Sequence, residues 1–132
     1  MPYRTVWLEK GLEKTASGIV TGCELIASRK ELYGDPRFDN VEYILSDYSS
    51  AEAIEIAEQD VKIVAFMDGA AAMSNPNCRV AIVSPNNNKI PLANYYTQLS
   101  KNSPWQTRVF QTVEQAREWI NAGQTVRHWI KR

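Results

Sequence analysis

Apolar and polar positions along the chain follow two periods, and the clearest change from one to the other falls between Cys78 and Ser100. Val80-Ala81-Ile82-Val83 is an unbroken apolar run between Asn75-Pro76-Asn77 and Ser84-Pro85-Asn86. A run that short, rich in β-branched residues and bounded by turn formers, predicts a strand buried on both faces. Such strands belong to parallel sheets covered by helices. Pro91 suits the first turn of a helix, where its missing N–H costs nothing. Leu92, Tyr95, Tyr96 and Leu99 follow at i, i+3, i+4 and i+7, one apolar stripe at helical period. Asn102-Ser103-Pro104 ends that helix. A buried strand leading directly into such a helix is half of a βαβ unit.

The remaining pattern extends the same reading. Tyr3 to Glu9 predicts a first strand, with Val6 and Leu8 on one face and Trp7 on the other. Leu12 to Val20 predicts its antiparallel return, weakened at Ala16-Ser17-Gly18. Thr21-Gly22-Cys23-Glu24 is a capping-box pattern and opens a helix from Gly22 to Tyr33. Gly34 is expected to cap it in the left-handed conformation, and Pro36 forbids continuation. Val41 to Leu45 predicts another buried strand, ending at Ser46-Asp47, with Tyr48-Ser49-Ser50 as the loop beyond it. Ile54 and Ile56 suggest a very short edge segment. A long helix is expected from Ala57 to Met73, with Ile63, Phe66, Met67, Ala70 and Met73 on one face. Trp105 to Phe110 predicts the last strand. Thr112-Val113-Glu114-Gln115 is a second capping box, and its helix turns Val113, Ala116, Trp119 and Ile120 inward and stops at Gly123. The order is β-β-α-β-α-β-α-β-α. Helical crossovers imply mostly parallel strands, with the opening hairpin as an antiparallel edge.

Length and composition bound this picture without sharpening it. The 132 residues fit one domain, 1–123, followed by a short tail, 124–132. Lys plus Arg equals Asp plus Glu at 15 each, which argues against a general attraction to nucleic acid or to acidic membranes. No apolar run approaches the length of a membrane span, and MPYRTVWLEK has no apolar signal core. A cytoplasmic location is the default expectation. Cys23 and Cys78 are expected to be buried small apolar residues rather than a disulfide pair.

The segments TGCELIASRKELYGDPRF, YILSDYSS, DGAAAMSNPNCRVAIVSP and VFQTVEQAREWI, in that order and spacing, resemble the SpoIIAA-like branch of the STAS superfamily. That fold is shared with the CRAL-TRIO lipid-exchange domains. The resemblance spans roughly Tyr3 to Asn121. It implies an α/β, single-domain, STAS-like mixed sheet, mostly parallel, with the N-terminal β-hairpin. It further implies a module that binds proteins or small ligands rather than one that catalyses. Anti-sigma-factor antagonists of this superfamily carry a phosphorylatable serine at the opening of the helix after the second main strand. The matching stretch here, Ile54 to Asp60, has no hydroxyl side chain, and Ser49 and Ser50 lie earlier. A serine switch of that type is not expected.

No residue set stands out as catalytic. His128 is the sole histidine and lies near the chain end between Arg127 and Trp129, far from any Ser or Asp partner in a recognisable pattern. With Cys23 and Cys78 it makes too small and scattered a set for structural zinc, so neither a metal nor a cofactor is expected. Asp47, ending a buried strand, is the one carboxylate placed as α/β enzymes place theirs, but it has no visible acid or base partner. Asn86-Asn87-Asn88 precedes a helix N-terminus, where N–H groups can hold an anion. The glycines that wrap phosphate are missing, so a polar loop with an Asn cap is preferred. Tyr95 and Tyr96 are core positions on a helix stripe, or alternatively line an apolar ligand site with Phe66 and Met67. Val126, Trp129 and Ile130 form an apolar set among basic residues. They pack back on the domain or, alternatively, join a second copy as a homodimer.

Ligands of open α/β sheets settle outside the carboxyl ends of the strands. Binding is therefore expected at Asp47, Tyr48, Ser49 and Ser50 and at Ser84 through Asn86, Asn87, Asn88 and Lys89, with Tyr95 and Tyr96 behind them. The expected role is a non-catalytic module for a protein partner or a small apolar ligand. The alternatives are a CRAL-TRIO-type lipid carrier and a small enzyme using Asp47.

Overall fold

The computed structural model describes residues 3–84 and 90–130, the side chains of Ile90 and 124–130 excepted. Five strands form one sheet in the order β1-β2-β3-β4-β5: β1 (Tyr3–Trp7), β2 (Gly11–Thr21), β3 (Tyr43–Glu55), β4 (Arg79–Val83) and β5 (Gln106–Phe110). β1 pairs antiparallel with β2, and every later pair is parallel. Four helices accompany the sheet: α1 (Gly22–Tyr33), α2 (Glu58–Ser74), α3 (Ile90–Leu99) and α4 (Val113–Ile130). This is the α/β mixed sheet expected, with its hairpin edge.

The layering follows from the connections. α1, α2 and α3 each join a strand to its next parallel neighbour, always stepping the same way across the sheet. Right-handed crossovers that step one way put their helices on one face. Leu12, Ile44, Val80 and Ile82 from the strands meet Leu25, Val61, Val64, Ala93 and Tyr96 in the main core there. α4 crosses back to no strand and covers the other face. Its Ala116 and Ile120 pack on Leu45, Ala81 and Val83, as its sequence stripe predicts.

Local signals set several boundaries. Thr21 and Glu24 form the predicted capping box: the Glu24 N–H donates to Thr21 Oγ1 at 3.3 Å and the Thr21 N–H to Glu24 Oε1 at 3.2 Å. The Gln115 N–H donates to Thr112 Oγ1 at 3.2 Å at the head of α4. Gly34 departs from expectation. It is right-handed (φ −81°, ψ −8°), because α1 runs into a short 3-10 turn, Pro36–Asn40, that needs no left-handed reversal.

β3 does not end at Asp47. It continues through Tyr48, Ser49 and Ser50 to Glu55, paired with the second half of β2. The expected loop and short edge segment are one strand. The pairing survives two register shifts, each with one extra residue on the β3 side, and Gly18, with φ +68°, adopts at the second of them a left-handed conformation that favours glycine.

α2 also departs from its predicted face. Val61, Val64, Asp68 and Ala72 are its buried residues, whereas Phe66 and Met73 are 80% and 82% exposed. Leu99 of α3 is likewise exposed, with Ala93, Tyr96 and Ser100 turned inward instead. α4 does not stop at Gly123 as expected but runs on to Ile130. Gly123 is there for space. A Cβ on it would lie 2.4 Å from Arg79 Nε, whose guanidinium crosses the helix and donates to the Trp119 carbonyl at 2.6 Å. Cys78 is buried as expected, Cys23 is exposed, and no disulfide joins them.

Candidate functional site

The sheet face beneath the three crossover helices carries polar residues among its apolar ones. Sheet register puts Lys14 of β2, Ser46 of β3 and Ile82 of β4 in one row across the strands. Side chains two apart share a face, so Ser84, just past β4, points to the same side as Ile82, and Tyr48 to the same side as Ser46. Lys14, Ser46 and Ser84 are all buried.

A cavity opens at this end of the face. Leu25, Ile54, Ile56, Val61, Val64, Ile82, Leu92 and Ala93 form its apolar walls, and Arg29, Ser46, Tyr48, Ser84 and Tyr96 are its polar lining. Its interior measures about 70 Å³, or about 590 Å³ of empty space with the open mouth included. A single water needs only about 10–15 Å³ on the first measure, so several ligand atoms fit inside. The cavity lies over the sheet face toward the carboxyl end of β4, roofed by α1, α2 and α3.

Charged groups buried beside the cavity hold one another in place. Arg29 of α1 donates through Nε to both carboxylate oxygens of Asp68 of α2, at 3.0 and 3.3 Å. The hydroxyls of Tyr33 and Tyr96 also donate to Asp68. Burial works against the Arg29 charge, but Asp68 and the surrounding tyrosine oxygens together hold its pKa well above the ordinary value. Burial first, and the Asp68 charge second, push the Tyr33 and Tyr96 phenols up, so both remain neutral donors. Lys14 donates to the Ser28 hydroxyl and, at 3.3 Å, to its carbonyl. Desolvation, followed by the nearby Arg29 charge, lowers its amine to about 7. Tyr48 meets Tyr3 through a hydroxyl pair 3.0 Å apart. Among the described residues, Arg29 Nη1, Ser46 Oγ and Ser84 Oγ have no hydrogen-bond partner.

The binding candidates read from sequence divide between several places. Tyr48 and Tyr96 line the cavity together with Ser84. Asp47 lies on the opposite side of β3 from Ser46, and its Oδ1 accepts from the Ser49 N–H (2.9 Å) and hydroxyl (2.6 Å). Ser49 and Ser50 are exposed strand residues rather than loop. Tyr95 packs at the margin of the main core and is not part of the cavity lining. Phe66 and Met67 are also absent from that lining, because α2 turns its other face inward. Asn86, Asn87, Asn88 and Lys89 lie outside the described residues. Val126, Trp129 and Ile130 fall on the last turns of α4, where side chains are not described. Among the described residues, no helix is long and apolar enough to cross a membrane, and no group of three His, Cys, Asp or Glu could hold a metal ion.

Sequence reading missed Arg29, Asp68, Ser46 and Lys14. A signal existed for two of them. Arg29 follows Leu25 by four positions, and Asp68 follows Val64 by four, so each sits on the inward stripe of its helix.

The architecture is an α/β fold of the SpoIIAA-like kind. An uncharacterized DUF3478-family protein with a SpoIIAA-like fold, from Shewanella loihica PV-4, has a crystal structure similar to this chain. The TM-score is 0.51 at 15% identity, covering 89% of this chain and 91% of that one. At that identity the likeness extends to the fold alone. No family model matches the sequence, and no curated protein matches it.

Proposed function

We propose that the protein is a non-catalytic binding module that takes a small, largely apolar ligand in the cavity between the sheet and α1–α3. The observation carrying this reading is the cavity itself, apolar-walled and open at one side, with a few convergent polar groups. Helices and strands carry all of the lining except Ile56 and Ser84, which directly follow β3 and β4, and the Arg29–Asp68 pair fixes α1 against α2. The Asp47 enzyme alternative has less support, since that carboxylate faces away from the cavity and is engaged by Ser49. A carrier of long-chain lipid is disfavoured by size, since an interior of about 70 Å³ leaves most of a long acyl chain outside the mouth. Native mass spectrometry of gently purified protein tests the proposal. A co-purifying small molecule, displaced when Val64→Trp fills the cavity, is the expected result. Chemical-shift changes on adding small apolar ligands that avoid Val61, Val64, Ile82 and Leu92 would overturn it.

A further inference from the structure

We infer that the ligand carries a carboxylate, received inside the cavity by Arg29 Nη1 and the hydroxyls of Ser46 and Ser84, with its short apolar chain running toward Val61 and Leu92. The inference rests on the cavity being a ligand site and specifies what that site selects. Arg29, Ser46 and Ser84 are 5%, 3% and 2% exposed, all three line the cavity, and each holds a polar atom that no group among the described residues satisfies. An unmet buried donor costs about 1–3 kcal/mol, so three beside one cavity point to a partner of complementary chemistry.

The buried charges favour an anion. Arg29 is a buried cation in the cavity lining, and Asp68 is the only buried carboxylate among the described residues. Asp68 already accepts from Arg29 Nε and from two tyrosine hydroxyls, so little of its capacity remains. Its bonds occupy the Nε side of the guanidinium and leave Nη1 to a second acceptor. A planar carboxylate has two oxygens to share among that nitrogen and the two lining hydroxyls. A phosphate is a poorer fit, since its larger charge would need more donors than the described lining supplies. Apolar walls around the head group strengthen each of these bonds by excluding water.

Titration calorimetry decides the matter with butyrate, hexanoate and octanoate beside the matching primary alcohols and amides. At least one acid should bind about tenfold or more tightly than its alcohol, the margin expected of hydrogen bonds to a charged group. Ser46→Ala/Ser84→Ala should shrink that margin severalfold without lowering the melting temperature, because it removes hydroxyls the fold does not use. Alcohols and amides binding as well as acids would overturn the carboxylate and leave the cavity as an apolar site. A margin unchanged in the double variant would overturn the head-group placement. No binding by any of the three compound classes would remove the inference along with the site reading beneath it.

Discussion

The Arg29 guanidinium and the Asp68 carboxylate meet inside the protein, Nε 3.0 Å from Oδ1, and join α1 to α2 across the roof of the cavity. Each charge is tolerable there because the other is present. Removing one partner of a buried pair typically costs about 3–5 kcal/mol, since the remaining charge is left desolvated. Asp68→Asn should therefore lower the unfolding free energy by about that amount in urea titration. A loss below about 1 kcal/mol would mean that Arg29 finds another acceptor or water.

Lys14 gives stability an unusual dependence on pH. Its amine titrates at about 7 in the folded protein against an ordinary 10.5. Between those values the unfolded chain holds a proton that the folded chain has lost, so raising the pH favours folding. The buried tyrosines act in the opposite sense at higher pH. Tyr33, Tyr48 and Tyr96 are raised above 10.0 by burial, so the unfolded chain ionises first and stability falls. Stability should climb from about pH 7 toward about pH 10 and then decline. Urea midpoints at successive pH values measure the climb, and Lys14→Met should flatten it. An equally steep climb in that variant would assign the effect to another group.

The exposed face of α2 is a clear test of which stripe packs. Phe66→Lys should change stability by no more than about 0.5 kcal/mol, as for an ordinary surface position. Val64→Ala, 1% exposed in the parent, should cost about 2 kcal/mol for its two lost carbons and the cavity they leave. Thermal melts of the two variants suffice. A larger loss for Phe66→Lys than for Val64→Ala would put the wrong face inward.

The same helix explains what the sequence could and could not tell. Element order was legible because strands such as Val80 to Val83 and caps such as Thr21 with Glu24 are local signals. The inward face of α2 was not. Ile63, Phe66, Met67, Ala70 and Met73 form an uninterrupted apolar stripe, whereas the buried stripe is broken by Asp68. Only the partner on α1, far along the chain, makes that carboxylate a core residue. The length of β3 was hidden for a similar reason. Tyr48-Ser49-Ser50 has turn composition, and pairing with β2 beyond its register shifts overrides that preference. Tyr48 and Tyr96 stood out as aromatic residues near the strand ends. Ser46 and Ser84 carry no local mark, and their role depends on sheet register.

Gly123 offers a last test, one in which helix propensity and packing have opposite signs. It lies inside α4, where Gly→Ala ordinarily gains about 1 kcal/mol. A Cβ there would press on the Arg79 guanidinium at 2.4–2.7 Å. That group donates to the Trp119 carbonyl and lies over the Trp119 ring, 4.6 Å from its centroid. Displacing it sacrifices a charge-assisted hydrogen bond and a cation–π contact, together worth about 2 kcal/mol or more. Gly123→Ala alone should therefore destabilise the protein by about 1 kcal/mol, propensity having offset part of the loss. With Arg79→Ala in the background the obstruction is gone, and the same substitution should stabilise by up to about 1 kcal/mol. A double-mutant cycle on urea unfolding reads this change of sign directly. An identical effect of Gly123→Ala in both backgrounds would separate the glycine from Arg79 and leave its place in the helix without a packing cause.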